Sequence, residues 1–209
     1  SGDYAKSMDL CMDLADWRGF ETRKKEAESR GMLLGRGFAN YVESSIGTPR
    51  EQAEIHVRAD GHIDLVIGTQ PSGQGHETSF AQVAAEWLGV PVNTISVIVG
   101  DTDLVKVGGG SHSGRSMRMA GTVIVKAADE LIEKSKKLAA VVLEAAETDL
   151  EFHDGKFQVV GTDREISLYA LAEVVGRRSD LPEKLSVIED NGMETPVFPN
   201  GCHICEIEI

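Results

Sequence analysis

The sequence predicts an α+β fold in which helices pack on a mixed sheet as two layers. Three observations predict it. Short runs alternate apolar and polar residues, as at Ala53–Ala59 and Ile63–Thr69. Asp-Gly pairs at Asp60-Gly61 and Asp154-Gly155 sit between such runs and signal hairpins. Two successive units then follow one plan, a strand running into a glycine-rich loop and then into a helix.

Each element has a local reason. Residues 5–30 are charged and amphipathic, with Met8, Leu10, Met12, Leu14, Trp17 and Phe20 as the apolar side of one or two helices. Gly31–Val42 turns extended, and 43–51 reads as a loop around Gly47 and Pro49. After the first hairpin, the loop Gly68–Gly75 leads into a helix ending near Leu88. Its Phe80, Val83, Ala84, Trp87 and Leu88 form one buried stripe, and Gly89 and Pro91 stop it. Strand Thr94–Val99 leads into the loop Gly100–Arg115 and a helix over about 116–146, with Val123, Ala127, Leu131, Leu138 and Val142 on its apolar side. A hairpin over 150–160, a short helix capped by Ser167, an extended segment 184–188 and a final strand over 203–209 complete the order. The suggested division is a helical segment and linker over 1–50 and a larger domain over 51–209. The final strand stops in mid-pattern and the first residues are polar, so the chain is expected to be a piece of a longer polypeptide.

Composition narrows the function classes. Of 209 residues, 41 % are hydrophobic, enough for a core, but only 5 % are aromatic, so Val, Ile, Leu and Ala must fill it. A net charge of -13 repels nucleic acid and anionic membranes. No apolar run approaches the roughly 18 residues of a membrane helix, and the polar opening Ser1-Gly2-Asp3-Tyr4 gives no expectation of a signal peptide. The three cysteines, Cys11, Cys202 and Cys205, suit a reducing, cytoplasmic setting rather than a disulfide framework. Cys202-His203-Ile204-Cys205 lacks a second pair to complete a zinc site and reads as two ordinary strand thiols.

The two loops carry the chemistry. A glycine-rich loop entering a helix leaves backbone N–H groups uncovered at the positive end of the helix dipole, where an anion binds. Gly68, Gly73 and Gly75 serve the first loop; Gly100, Gly108, Gly109, Gly110 and Gly114 serve the second. Gln74, His76 and Thr78 accompany the first, and Ser111, His112, Ser113, Arg115 and Ser116 the second. Arg115 is expected to bond a phosphate bidentately, and Gln74 to present a donor and an acceptor to a heterocycle or oxo group. The dinucleotide fingerprint and the P-loop are both missing.

Ser72-Gly73-Gln74-Gly75-His76-Glu77-Thr78 resembles the Gly-Gln-Gly-His-Glu-Thr segment of the xanthine dehydrogenase, aldehyde oxidase and aerobic carbon monoxide dehydrogenase family. The similarity is to its large, molybdenum-cofactor-binding subunit. Val99-Gly100-Asp101-Thr102-Asp103 and Ser113-Gly114-Arg115-Ser116 are similar to the family's Gly-Asp-Thr-Asp and Gly-Ser-Arg-Ser segments, and the resemblance spans nearly the whole chain. It departs at Ser72, where relatives carry an apolar residue, at Ser113-Gly114, which reverses the usual order, and at His112.

The resemblance implies a molybdopterin cofactor, in its cytosine dinucleotide form, held by Gly73, Gln74, Gly75, His76, Thr78, Ser113, Gly114, Arg115 and Ser116. It implies no protein ligand to the metal from these loops. It further implies a molybdenum-dependent oxidoreductase that hydroxylates a small-molecule substrate with oxygen from water. An iron–sulfur small subunit carrying [2Fe–2S] and a medium subunit carrying FAD would be the partners. The family's general-base glutamate lies downstream of this chain. Glu77 is assigned to the helix dipole instead, and His56, His62 and His153 have no metal-ligand spacing. The isolated chain is therefore expected to be inactive. The rival reading is a cofactor-free scaffold or subunit-assembly module of the same fold.

Overall fold

The structure, a computed structural model, describes residues 2–45, 47–182, 184–193 and 195–209. The chain forms two compact units, Ser1–Ser45 with Thr195–Ile209, and Ile46–Glu194. The division differs from a split at residue 50, because the final strand returns to the first unit and not to the larger one.

The first unit opens with helix α1 (Tyr4–Leu14), where the Asp3 carboxylate accepts from the Lys6 N–H at 3.0 Å. Helix α2 (Phe20–Ser29) and strand β1 (Leu34–Val42) follow. Of the six residues assigned to a single apolar side, only Phe20 is buried, while Leu10 and Leu14 are exposed. The helical segment instead grips β1 through cationic and aromatic contacts. The Arg36 guanidinium lies 3.3 Å from the centre of the Trp17 ring and 4.0 Å from that of Phe20.

In the second unit, strand β2 (Arg50–Val57) starts inside the segment read as a loop. Strand β3 (Ile63–Ile67) leads to helix α3 (His76–Leu88), strand β4 (Ile95–Ile98) and helix α4 (Ser116–Val142). Strands β5 (Leu150–His153), β6 (Lys156–Val159) and β7 (Glu165–Ser167) form a small antiparallel sheet. Ser167 caps helix α5 (Leu168–Arg177) by accepting from the Ala170 N–H at 3.1 Å. Strand β8 (Leu185–Gly192) closes the unit, and strand β9 (Asn200–Glu208) returns to pair antiparallel with β1 in the first.

The central sheet has the order β4-β3-β2-β8. β2 runs antiparallel to both neighbours, whereas β3 and β4 are parallel. The sheet is therefore mixed, as predicted. Its inward positions, Ala53, Ile55, Val57, Ile63, Leu65, Ile67, Ile95, Leu185 and Val187, are all buried and packed with residues of α3 and α4 in one core. Helix α3 buries Phe80, Ala81, Ala84, Ala85 and Leu88 and ends at Gly89, which adopts φ 62°. Trp87 does not join the stripe. It stays half exposed while its Nε1–H donates to the Asp129 carboxylate on α4 at 2.7 Å, because an indole gains more from keeping its polar edge satisfied.

Cys202 and Cys205 both fall within β9. Three residues apart on a strand, they point to opposite faces, so this C-x-x-C cannot converge on one ion. Cys202 is half-buried beside α1, where the Cys11 thiol donates to its carbonyl at 3.5 Å, and Cys205 is exposed.

Candidate functional site

Both glycine loops belong to the second unit. Because β3 and β4 are parallel neighbours, the loops that follow them leave from the same edge of the sheet, at the carboxyl ends of the strands. Ligands of sheets with parallel strands bind at that edge. The loops cross at close range. A Cβ added to Gly68 would lie 2.2 Å from the Gly108 Cα, and one added to Gly108 would lie 2.5 Å from the Gly68 Cα. Only two glycines permit this approach.

Beyond the crossing the loops form an open lip. Gly73, Gly75 and Gly110 have φ of 101°, 72° and 71°, and an added Cβ at each would meet nothing within 4 Å among the described residues. Their glycine is thus demanded by backbone conformation and not by packing. Neither helix start is closed by a side-chain cap. In α3 the N–H groups of Thr78 and Ser79 both return to the Gly75 carbonyl, and those of His76 and Glu77 precede the ladder. In α4 the ladder opens with the Met119 N–H on the Arg115 carbonyl at 2.7 Å, so Ser116 and Met117 precede it.

The polar side chains divide into two groups. Gln74, Thr78 and Ser113 are exposed and Ser116 is half-buried. The Gln74 Oε1 accepts from the Ser72 N–H, which folds its amide over the first loop. His76 is turned inward; its ring stacks on Phe80 at 4.8 Å and its Nδ1 meets the Ser111 Oγ at 3.1 Å, a tie between the loops. His112 braces the second loop, with Nε2 on the Gly109 carbonyl at 3.0 Å and Nδ1 on the Ser113 Oγ at 3.2 Å. Ser113 and Gly114 take φ of 49° and 61°, and the Arg115 N–H returns to the His112 carbonyl at 3.0 Å. This is a tight turn with two left-handed central residues, which requires the glycine at one of them.

Arg115 departs from the expected phosphate ligand. Its side chain is wholly buried and its guanidinium is fully engaged by the protein. Nε donates to the Thr48 carbonyl at 2.9 Å, Nη1 to the Gly110 carbonyl at 2.6 Å and the Thr69 Oγ1 at 3.3 Å, and Nη2 to the Arg50 carbonyl and the Glu51 Oε2, each at 3.0 Å. A bidentate bond to a ligand would break this set.

Glu51 is the residue that sequence reasoning missed. Its side chain is fully buried on β2, and its Oε2 also accepts from the Thr69 hydroxyl at 2.6 Å and the Gly109 N–H at 3.3 Å. The other carboxylate oxygen, Oε1, is buried and has no hydrogen-bond partner among the described residues. The signal was strand parity: Glu51 has the phase of Ala53, Ile55 and Val57, and so faces inward. Glu77 lies exposed in the first turn of α3.

A sheet edge that feeds two glycine loops into two uncapped helix starts has the parts of an anion-binding site. The chain belongs to the molybdopterin cofactor-binding domain family, whose model matches residues 10–209. It is 34 % identical over 216 residues to the 6-hydroxypseudooxynicotine dehydrogenase complex subunit gamma of Paenarthrobacter nicotinovorans, covering 100 % of this chain and 27 % of that protein. It is 28 % identical to the carbon monoxide dehydrogenase large chain of Hydrogenophaga pseudoflava, over 100 % of this chain and 28 % of the relative. Among solved structures, quinoline 2-oxidoreductase from Pseudomonas putida 86 superposes with a TM-score of 0.77 at 26 % identity, covering all of this chain and 29 % of that one. The reconstituted CO dehydrogenase from Oligotropha carboxidovorans gives 0.78 at 28 % identity, again over 100 % of this chain and 28 % of the other. The chain thus spans little more than a quarter of the length of the relatives it matches. No helix among the described residues is long and apolar enough to cross a membrane.

Proposed function

We propose that this chain is one wall of the cofactor site in the large subunit of a molybdenum hydroxylase. The observation that carries the proposal is the crossing of two glycine loops that lead into two uncapped helix starts. The residues present fit a phosphate-bearing pterin. Among the described residues, open space stands where side chains at Gly73, Gly75 and Gly110 would be, and Gly75 is itself the residue before the leading amides of α3. Gly73, Gln74, Gly75, His76 and Thr78 form the first half of the cradle, and Ser113, Gly114, Arg115 and Ser116 the second. Backbone amides supply most of the hold. Gln74, Thr78, Ser113 and Ser116 add side-chain polar groups, and His76 and Arg115 act by fixing the loops.

When bound, the molybdenum cofactor supplies two-electron redox chemistry. This chain contributes binding, orientation and a fixed positive field from two helix dipoles. It contributes no general base. The activity proposed for the whole protein is oxidative hydroxylation of a small molecule with oxygen from water. The cofactor is taken to be the cytosine dinucleotide, and electrons leave through [2Fe–2S] on a small subunit and FAD on a medium subunit. A cytoplasmic site goes with this reading. The dehydrogenase names of the relatives support it, as does the subunit designation of the Paenarthrobacter protein.

The test is chemical analysis of the purified full-length protein. Stoichiometric molybdenum, with one cytidine monophosphate released per pterin on acid hydrolysis, is the expected result. A different nucleotide would remove the dinucleotide assignment. A folded protein with neither pterin nor molybdenum would instead support an assembly module. The 209-residue chain alone should show no hydroxylase turnover, and measurable turnover would overturn its role as a partial site.

A further inference from the structure

Glu51 lies beneath the cradle and touches both of its halves. Its Oε2 takes the Thr69 hydroxyl from the root of the first loop, the Gly109 N–H from the second loop, and the Arg115 Nη2 from the start of α4. Its Oε1 lies against the loop crossing, 2.6 Å from where a Gly68 Cβ would sit. Arg115 completes the clasp by returning to the Gly110 carbonyl and the Thr69 hydroxyl, and anchors it to the Thr48 and Arg50 carbonyls at the start of β2. Both side chains have no exposed area, so neither reaches a ligand on the lip.

A buried ion pair is a poor source of net stability, since apolar residues of similar volume often serve as well or better. What this pair provides is geometry. One carboxylate oxygen, held by three donors from three segments, sets the separation of two loops whose own glycines leave them free to move. We propose that Glu51 is a positioning residue for the cofactor: its buried carboxylate fixes the spacing of the two amide-bearing loops without touching what they bind. This rests on the cofactor-site reading above.

The experiment uses the full-length protein as wild type, Glu51→Gln, Arg115→Met, the double variant, and Glu151→Gln as an exposed control. Three quantities are read: hydrogen exchange of peptides covering 68–75 and 107–115 in cofactor-free protein, the rate of pterin release after dilution, and the thermal midpoint. In Glu51→Gln both loops should exchange faster, and pterin should leave about 10–100-fold faster, by analogy with the loss caused when a hydrogen-bond partner behind a metal ligand is removed. The double variant carries no buried charge. It should recover the thermal midpoint lost in the single variants but not the slow release. A clasp that is only structural would make release follow the midpoint, so recovery of both in the double variant would overturn the proposal. Unchanged loop exchange in Glu51→Gln would also overturn it, whatever the pterin content. Wild-type protein lacking pterin, with loops loosened in Glu51→Gln, would remove the cofactor reading and leave the clasp standing.

Discussion

Replacing Gly68 by Ala tests the loop crossing with a single methyl group. The new Cβ would lie 2.2 Å from the Gly108 Cα and 2.6 Å from both the Val107 carbonyl oxygen and the Glu51 Oε1. Carbon atoms rest at about 3.5–4.0 Å, so the loops must part by about 1.3–1.8 Å at this point. Inserting a methyl into a packed site costs about 1–3 kcal/mol. The upper end applies, because the nearest atoms are backbone and a carboxylate already held by three donors, none of which can swing aside. For a chain of this size about 3 kcal/mol lowers the melting midpoint by roughly 6–12 °C. Gly108→Ala should behave alike, since its Cβ meets the Gly68 Cα at 2.5 Å. The double variant should lose less than the sum, because the first methyl has already opened the gap that the second needs. Gly35→Ala is the control, with nothing within 4 Å of the added Cβ. The assay is thermal unfolding of the 209-residue chain followed by circular dichroism. A Gly68→Ala midpoint matching that of Gly35→Ala, or fully additive losses in the double variant, would refute the crossing.

Acid should loosen the first unit through Glu206. The Arg23 guanidinium, hydrogen-bonded to it at 2.7 and 3.1 Å, holds its carboxyl below the ordinary range against a smaller upward push from burial. A lowered folded-state value means that this contribution is present above the ordinary glutamate value of the unfolded chain and is lost as pH falls through the lower folded one. Arg23→Gln should raise the Glu206 midpoint in a carboxyl-detected titration, and an unmoved midpoint would refute the pairing. Burial, and then the neighbouring Cys11 thiol, raise the Cys202 thiol above its usual value. Timed alkylation read by mass spectrometry should therefore modify exposed Cys205 first, and equal rates would be the contrary result. Trp87→Phe should cost about 1 kcal/mol through the lost bond to Asp129. A further Asp129→Ala should then cost little, whereas independent losses would show that the two residues do not act as a pair.

Most of the fold was legible because it rests on repetition. Alternation at period two marks β2 and β3, and the stripe of Phe80, Ala84 and Leu88 marks α3. Where the pattern serves something other than a core, spacing alone misleads. Trp87 fits the helical stripe by spacing, yet its indole N–H holds it at the surface against Asp129. Leu10 and Leu14 fit an amphipathic helix but lie exposed. The pairing of β9 with β1 was not legible either, because it joins residues 158 to 174 positions apart whose alternation would suit any sheet edge.

The loops were legible as loops, but the direction of their one arginine was not. A guanidinium among glycines at a helix start looks the same in sequence whether it turns outward to a phosphate or inward to the protein. The choice depends on what waits inside, and that is decided 64 residues earlier by Glu51. Had position 51 carried an apolar residue, the inward pocket would have offered Arg115 only carbonyls and a hydroxyl. Burying the charge without a counter-ion would then have cost more than turning it to solvent. With Glu51 in phase with Ala53, Ile55 and Val57, the carboxylate is forced inward, and Arg115 must follow to neutralise it. In the proposed clasp the arginine therefore serves Glu51, whose carboxylate fixes the distance between the two loops. Any phosphate bound at this edge must be held mainly by backbone N–H groups and hydroxyls, so neutralising Arg115 together with Glu51 should speed release by loosening the cradle and not by removing a charge that the phosphate touches.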